Sequence, residues 1–507
     1  MNIKQAKQEI HRTIQAYLAT DELGEYLIPR VRQRPILLMG APGIGKTAIM
    51  EQIAAENQIA LVSYSITHHT RQSAIGLPFI SHKKYGNKEY AVTEYTMSEI
   101  IASVYDKMEE TGIKNGILFI DEINCASETL APAMLQFLQA KTFGAHKIPD
   151  GWIIVSAGNP PEYNKSVREF DVVTLDRVKK MDVTADFIVW KEYAYRQGIH
   201  GAILTYLEIK KDDFYAMETT VDGKRFVTAR GWEDLSTIIQ VYEKNGESVD
   251  ETLIYQYLQH RKIAKDFANY YDLYQKYQTD YRITDILKGI ISPQSLARLE
   301  GAAFDERLSI MGLLISALTI SFRQAYESDL FVTALHDVLS EWKNQLSQSA
   351  APWTDTLSLN MAQAEVLFTS KKSAGLLDKS QQKCHSQVLS WLERQKNQLL
   401  TEQLRENDIA FSQIKSNFVQ EVAMRQNHID TASAQLEHTF SFLEKAFGTG
   451  QEMVIFITEL STNFYSITFI SENGSEKYYR YNKDLLFDER QKDLLSEIRK
   501  AKNENIL

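Results

Sequence analysis

Between residues 40 and 47 the chain reads Gly40-Ala41-Pro42-Gly43-Ile44-Gly45-Lys46-Thr47, a G-x-x-x-x-G-K-T pattern. Glycines at these positions let the backbone curl tightly enough for successive N–H groups to converge on an anion. A helix N-terminus behind them adds its own partial positive charge. In such a phosphate-binding loop Lys46 neutralises the terminal phosphates of a nucleotide, and Thr47 offers a hydroxyl to Mg²⁺. The flanks suit that use. Pro35-Ile36-Leu37-Leu38-Met39 is a short apolar run fit for a buried parallel strand, and Thr47 to Glu56 keeps helical spacing. Residues Gly40 to Thr47, with Ala48 just behind, are the candidate nucleotide contacts.

About seventy residues further on, Ile117-Leu118-Phe119-Ile120 ends in Asp121-Glu122. An apolar strand finishing in two carboxylates puts them at the carboxyl edge of a sheet, where open α/β sheets bind ligands. Asp121 there would hold Mg²⁺ through its water shell, and Glu122 would polarise an attacking water as general base. A bare apolar run followed by Asp-Glu is common; its position after the phosphate loop gives it meaning. A third strand ends in Ser156-Ala157-Gly158-Asn159-Pro160-Pro161. Asn159 can orient the water or touch the γ-phosphate, although an isolated Asn-Pro is ordinarily a turn initiator.

The elements that position these residues follow from periodicity. Residues 1–30 read as a helix and then a loop. Apolar runs at Ile59–Ile66, Ile117–Ile120 and Ile153–Ser156 alternate with helical stretches at Ser98–Glu110 and Ala131–Ala140. Strands alternating with helices predict an α/β core with a parallel sheet covered on both faces. After about residue 183 helices take over, at Phe187–Leu207 and Gly231–Tyr271, separated by a polar loop around Asp222-Gly223-Lys224. Phe411, Ile414, Phe418, Val422, Ile429, Ala432, Leu436, Phe440, Leu443 and Phe447 keep three-or-four spacing, with Arg425 interrupting it. That predicts one long helix, antiparallel to a segment around Val388, Leu392 and Leu399. Met453–Ile457, Phe464–Ile470 and Tyr478–Tyr481 read as strands, a small β-meander before a terminal helix. The expected divisions are a nucleotide-binding core over 1–182, a helical lid over 183–280, a helical region over 281–447, and the meander with its helix over 448–507.

The sequence has 507 residues, is 44% hydrophobic and 24% charged, and carries a formal charge of -10. That length and composition fit a soluble chain with room for about three domains. The acidic balance argues against broad nucleic-acid binding. Cys125 and Cys384 lie far apart without metal-ligand spacing, which fits a reducing cytoplasm. The N-terminal residues lack an apolar signal segment. The apolar run Leu308–Phe322 is shorter than the ~20 residues a membrane span needs, so it reads as a core helix. His68-His69 lacks a third ligand at suitable spacing and reads as a loop pair. The aromatic Tyr478-Tyr479-Arg480-Tyr481 and the charged stretch Lys492 to Lys502 read as a strand and a solvated helix face.

Phosphate loop, strand-Asp-Glu and strand-Asn, in this order and at these separations, resemble the AAA+ ATPases, and the wording resembles their MoxR-type branch. Two stretches support the branch. Thr67–Glu94, with Ser73-Ala74-Ile75-Gly76-Leu77, looks like an insertion in helix 2, and Lys141–Trp152 looks like the hairpin before the sensor 1 strand. The resemblance implies two further residues. Leu175-Asp176-Arg177-Val178 is similar to the family's L-D-R-F, making Arg177 an arginine finger acting on a neighbouring subunit, with Arg168 as the alternative. Val227-Thr228-Ala229-Arg230-Gly231-Trp232-Glu233 is similar to T-P-R-S-W-E, making Arg230 the sensor 2 arginine, although Ala229 and Gly231 depart from that pattern. The likeness spans roughly residues 10 to 270. ATP is favoured over GTP because Asn482-Lys483-Asp484 lacks the spacer of a guanine-reading N-K-x-D. The resemblance implies ATP and Mg²⁺ as cofactors, a hexameric ring, and a chaperone-like action on a protein partner, often a von Willebrand factor A domain protein. A nucleic-acid-dependent motor of the McrB or helicase kind, and a non-catalytic scaffold switched by ATP, are the alternatives.

Overall fold

In the computed structural model, residues 1–483 are described except 144, 164–166, 168, 221–222 and 349–350. Arg168, Asp222 and the stretch Lys492–Lys502 with the expected terminal helix lie outside the described residues. The chain divides into two compact units. The first comprises Met1–Val189 with Ser358–Leu389, and the second comprises Trp190–Leu357 with the described residues from Ser390 onward.

Unit 1 is built on five parallel strands: β1 (Ile36–Gly40), β2 (Ala60–Ser65), β5 (Gly116–Asp121), β8 (Trp152–Gly158) and β9 (Lys179–Val183). They are ordered β2-β5-β8-β1-β9. Two antiparallel hairpins stand apart from this sheet, β3 (Pro78–Tyr85) with β4 (Lys88–Tyr95), and β6 (Thr142–Phe143) with β7 (His146–Lys147). The helices are α1 (Ile3–Leu18), α2 (Lys46–Asn57), α3 (Arg71–Ile75), α4 (Glu99–Thr111), α5 (Ala131–Ala140) and α6 (Val172–Leu175). Every residue from Ile117 to Ile120 is fully buried, the signature of a strand covered on both faces. Register does the positioning. Ser65 pairs with Asp121, Ile120 with Ser156, and Met39 with Gly158, so β1, β2, β5 and β8 all end at one edge.

Local chemistry explains the boundaries. Asn2 caps α1 reciprocally with Gln5, which satisfies two otherwise orphaned backbone donors. Ser98 stands at the N-cap of α4 but does not cap it; its hydroxyl donates instead to the carbonyl of Ala74 in α3. The expected insertion, Thr67–Glu94, consists of the short α3 and most of the β3–β4 hairpin, whose strands are largely exposed.

Unit 2 begins within α7 (Phe187–Gln197) and continues through α8 (Gly201–Ile209), the hairpin β10 (Ala216–Thr220) and β11 (Gly223–Val227), α9 (Ala229–Asn245), α10 (Glu251–Leu258) and α11 (Arg261–Asp280). Gly223 and Lys224, expected in a loop, are the first residues of the strand β11. Trp232, Tyr206 and Phe267 pack ring against ring at its centre. Then come α12 (Ile283–Leu287), α13 (Pro293–Glu300), α14 (Phe304–Gln348), α15 (Trp353–Ser373), α16 (Lys379–Thr401) and α17 (Asn407–Phe447); of α15 and α16, residues Ser358–Leu389 belong to unit 1. The long helix forms as its spacing predicts, and α16 runs antiparallel to it through Trp391–Glu421 and Asn417–Gln395 hydrogen bonds. Its other partner is α14, again antiparallel. Ser328 meets His428, Ser321 meets Gln435, and Arg425, the residue that interrupts the apolar stripe, pairs with Asp329 at 3.0 Å.

The β-meander does not exist. Met453–Ile457 belongs to α18 (Gln451–Thr462), Phe464–Ile470 belongs to α19 (Phe464–Asn473), and Tyr478–Tyr481 is helical too. Short apolar runs cannot be told apart by composition, and here the buried set Met453, Phe456, Ile457, Leu460 has helical spacing. Buried Asn463 makes the corner between α18 and α19: its side chain accepts from Tyr465 N–H at 3.1 Å and donates to Thr319 at 2.6 Å. Among the described residues one helix, Phe304–Gln348, is long and apolar enough to cross a membrane, as is the bent pair Gln451–Thr462 and Phe464–Asn473 taken together. Ile310, Met311, Leu314, Leu318 and Phe322 of the first are buried within the protein.

Candidate functional site

The loop after β1 needs backbone conformations that side chains disfavour. Gly43 and Gly45 have φ of 74° and 91°, in the left-handed region. Gly40 is constrained differently, since a Cβ there would sit 2.5 Å from the carbonyl oxygen of Val183. Gly45 is the N-cap of α2 and supplies no side-chain cap, so the first N–H groups of that twelve-residue helix remain available to an anion. Lys46 is the first helical residue and only 8% exposed. Its ammonium donates to the carbonyls of Gly40 and Ala41 at 2.7 and 2.8 Å, and to Asn159 Oδ1 at 2.9 Å. Lys46 and Asn159 lie 113 residues apart in the sequence and meet because β1 and β8 are neighbours.

Thr47 Oγ1 donates to Asp121 Oδ2 at 2.9 Å. A hydroxyl and a carboxylate side by side, both hard oxygen donors, fit a Mg²⁺ that keeps several waters and takes its remaining ligands from phosphates. Among the described residues there is no group of three or more His, Cys, Asp and Glu arranged to cage a metal. The other oxygen of Asp121 accepts from Glu122 N–H at 2.8 Å.

Glu122 has φ 55°, uncommon for a residue with a side chain. This conformation turns the chain out of β5 immediately after Asp121. The Glu122 carboxylate accepts from the hydroxyls of Ser65 and Thr67, both at 3.1 Å, and those hydroxyls lie 2.9 Å apart. Neither residue emerged from the sequence reading. The available signal was the polar end of the second strand, which register places against Asp121. Asn124, also missed, is buried two residues beyond Glu122 and holds the backbone of Asn159.

Five predicted residues, Lys46, Thr47, Asp121, Glu122 and Asn159, therefore share one edge of the sheet. Arg177 does not join them. It is exposed, lies between α6 and β9, and donates to Gln139 at the end of α5. Because Lys179 pairs with Ile36 and Val183 with Gly40, Arg177 stands beyond the amino end of the sheet, opposite the phosphate loop. Arg230 is exposed in the first turn of α9, in unit 2, behind an N-cap in which Thr228 accepts from Gly231 N–H at 3.2 Å. His69 packs against the ring of Tyr64 with centroids 5.0 Å apart.

No curated protein matches the sequence. A candidate ATPase of Cytophaga hutchinsonii is 15% identical, with a TM-score of 0.22, over 36% of this chain and 46% of its own. A RuvB variant of Thermotoga maritima is 15% identical, with a TM-score of 0.24, over 39% of this chain and 51% of its own. The chain thus spans about half the length of each of these two structures. The family model for ATPases associated with various cellular activities (AAA) matches residues 36–171, the stretch that runs from β1 through β8 and carries Lys46, Asp121, Glu122 and Asn159. On that match and that fold, residues 36–171 form an AAA-type, nucleotide-handling ATPase domain.

Proposed function

We propose that this chain is a Mg²⁺-dependent ATPase that works as a ring of copies and remodels a protein partner, in the manner of MoxR-type AAA+ proteins. Lys46 and Asn159 would hold the γ-phosphate, Thr47 and Asp121 would hold Mg²⁺ to neutralise its charge, and Glu122 would accept the proton of the attacking water. The observation that carries the ring is the position of Arg177. Five strand residues, ~17 Å at ~3.3 Å each, separate its end of the sheet from the phosphate loop. That exceeds the reach of an arginine, so Arg177 has a phosphate to meet only on a neighbour. The protein partner is supported by the β3–β4 hairpin, where Phe79, Ile80, Tyr85 and Tyr90 are exposed.

Glu122→Gln should bind ATP and accumulate as rings with turnover reduced by about a hundredfold or more. Arg177→Ala should keep nucleotide and lose hydrolysis, and mixing it with Lys46→Ala should restore part of the activity. Specific activity that is independent of protein concentration and of Arg177 would exclude the ring.

A further inference from the structure

Asn124 is 3% exposed, in the short 3-10 turn Ile123–Cys125 that follows Glu122. Both ends of its amide are used on one residue of another strand. Nδ2 donates to the carbonyl of Asn159 at 2.8 Å, and Oδ1 accepts from the Asn159 N–H at 3.4 Å. Room for this is made by Gly158. A Cβ on Gly158 would lie 2.7 Å from Asn124 Oδ1 and 2.9 Å from its Cγ, so a side chain there would displace the amide. On the other side, the turn is anchored to the general-base segment through Cys125 N–H to Glu122 carbonyl at 2.8 Å. One buried amide thus ties the turn carrying Glu122 to the strand end carrying Asn159, whose own side chain accepts from Lys46.

We propose that Asn124 is a positioning residue for ATP hydrolysis: it sets Asn159 and Glu122 in register with each other without touching the nucleotide. The inference rests on the ATPase reading above. Misplacing reactive groups by a fraction of an ångström to an ångström costs up to about a hundredfold in rate, while ground-state binding, supplied here by the phosphate loop and Lys46, is left intact. The predicted signature is a change in kcat without a change in KM.

Steady-state ATPase assays on the full chain, with ATP affinity measured separately by a fluorescent nucleotide, test this. Asn124→Ala is expected to lower kcat about 10- to 100-fold, with KM and nucleotide affinity within about threefold of the parent. Gly158→Ala, which presses on the same amide from the opposite side, should reproduce the pattern. Asn124→Asp keeps the shape and the acceptor but presents an oxygen to the Asn159 carbonyl. Protonating that carboxyl restores a donor, so its activity relative to the parent should climb as the pH is lowered. A purely structural role has no reason to give that slope. If Asn124→Ala does not fold, the aspartate variant carries the test alone. Wild-type kcat in these variants, equal losses in affinity and rate, or a flat pH ratio for Asn124→Asp would overturn the proposal. Absence of ATP turnover by the parent chain would instead overturn the ATPase reading beneath it.

Discussion

Each unit buries a lysine ammonium, and the two are held in opposite ways. Lys46 in unit 1 is 8% exposed and its bonds to Gly40, Ala41 and Asn159 all end on uncharged oxygens. Lys191 in unit 2 is 6% exposed and sits between two carboxylates, Glu208 at 2.8 Å and Glu459 at 2.5 Å, with Tyr195 donating to the far oxygen of Glu459. Burial pulls the Lys191 proton affinity down, but the carboxylates outweigh it and hold the group above the ordinary lysine range. The difference is one of exchangeability. Uncharged acceptors can be given up when a phosphate arrives, because the anion offers the ammonium more than they do. A carboxylate pair cannot be given up without leaving a buried charge uncompensated. One site is arranged to accept a ligand, and the other fastens α7, α8 and α18 together.

The comparison can be broken most easily at Lys46. Lys46→Met should cut nucleotide affinity or turnover by at least about a hundredfold, as expected for losing a charge-assisted contact on a transferring phosphate, and should leave the unfolding midpoint nearly unchanged. A large loss of stability with nucleotide binding intact would reverse the assignment. At Lys191 the opposite pattern is expected. Lys191→Met should cost about 3–5 kcal/mol in urea unfolding, because Glu459 is left buried, and the double variant with Glu459→Gln should recover part of that loss.

A third buried lysine sharpens the contrast. Lys141, 4% exposed at the end of α5 with φ 56°, donates to Gln33 at 3.2 Å. Burial and the nearby charge of Arg30 push it down to about 8, against a smaller opposing pull from Asp150. The unfolded chain binds this proton more tightly, so the destabilisation is fully present below pH 8 and fades as the pH rises toward 10.5. Lys141→Met is therefore expected to stabilise by about 2–3 kcal/mol at pH 7, with the advantage shrinking to nothing above the ordinary lysine range. Urea titrations at neutral and alkaline pH read the difference directly. The smallest effect is expected at a cap. Thr228→Ala should cost about 1 kcal/mol by orphaning the Gly231 N–H at the start of α9.

The sequence by itself determined the parts whose chemistry is local. A Gly-rich loop can only be written with glycines where φ is positive, so Gly43, Gly45, Lys46 and Thr47 were legible at once, as were the apolar strands that end in Asp121 and before Asn159. The helical period of Phe411–Phe447 was equally clear, because it repeats over many turns. Tertiary structure alone decided what depends on neighbours distant in the chain. Ser65, Thr67 and Asn124 look like ordinary polar residues until the order β2-β5-β8-β1-β9 brings them to Glu122 and Asn159. Arg177 required the register of β9 on β1 to show that it points away from its own phosphate loop. The final apolar runs were misread as strands because five to seven apolar residues satisfy either period. Packing decided between them: Met453, Phe456, Ile457 and Leu460 are all buried, and only a helix puts those four on one face.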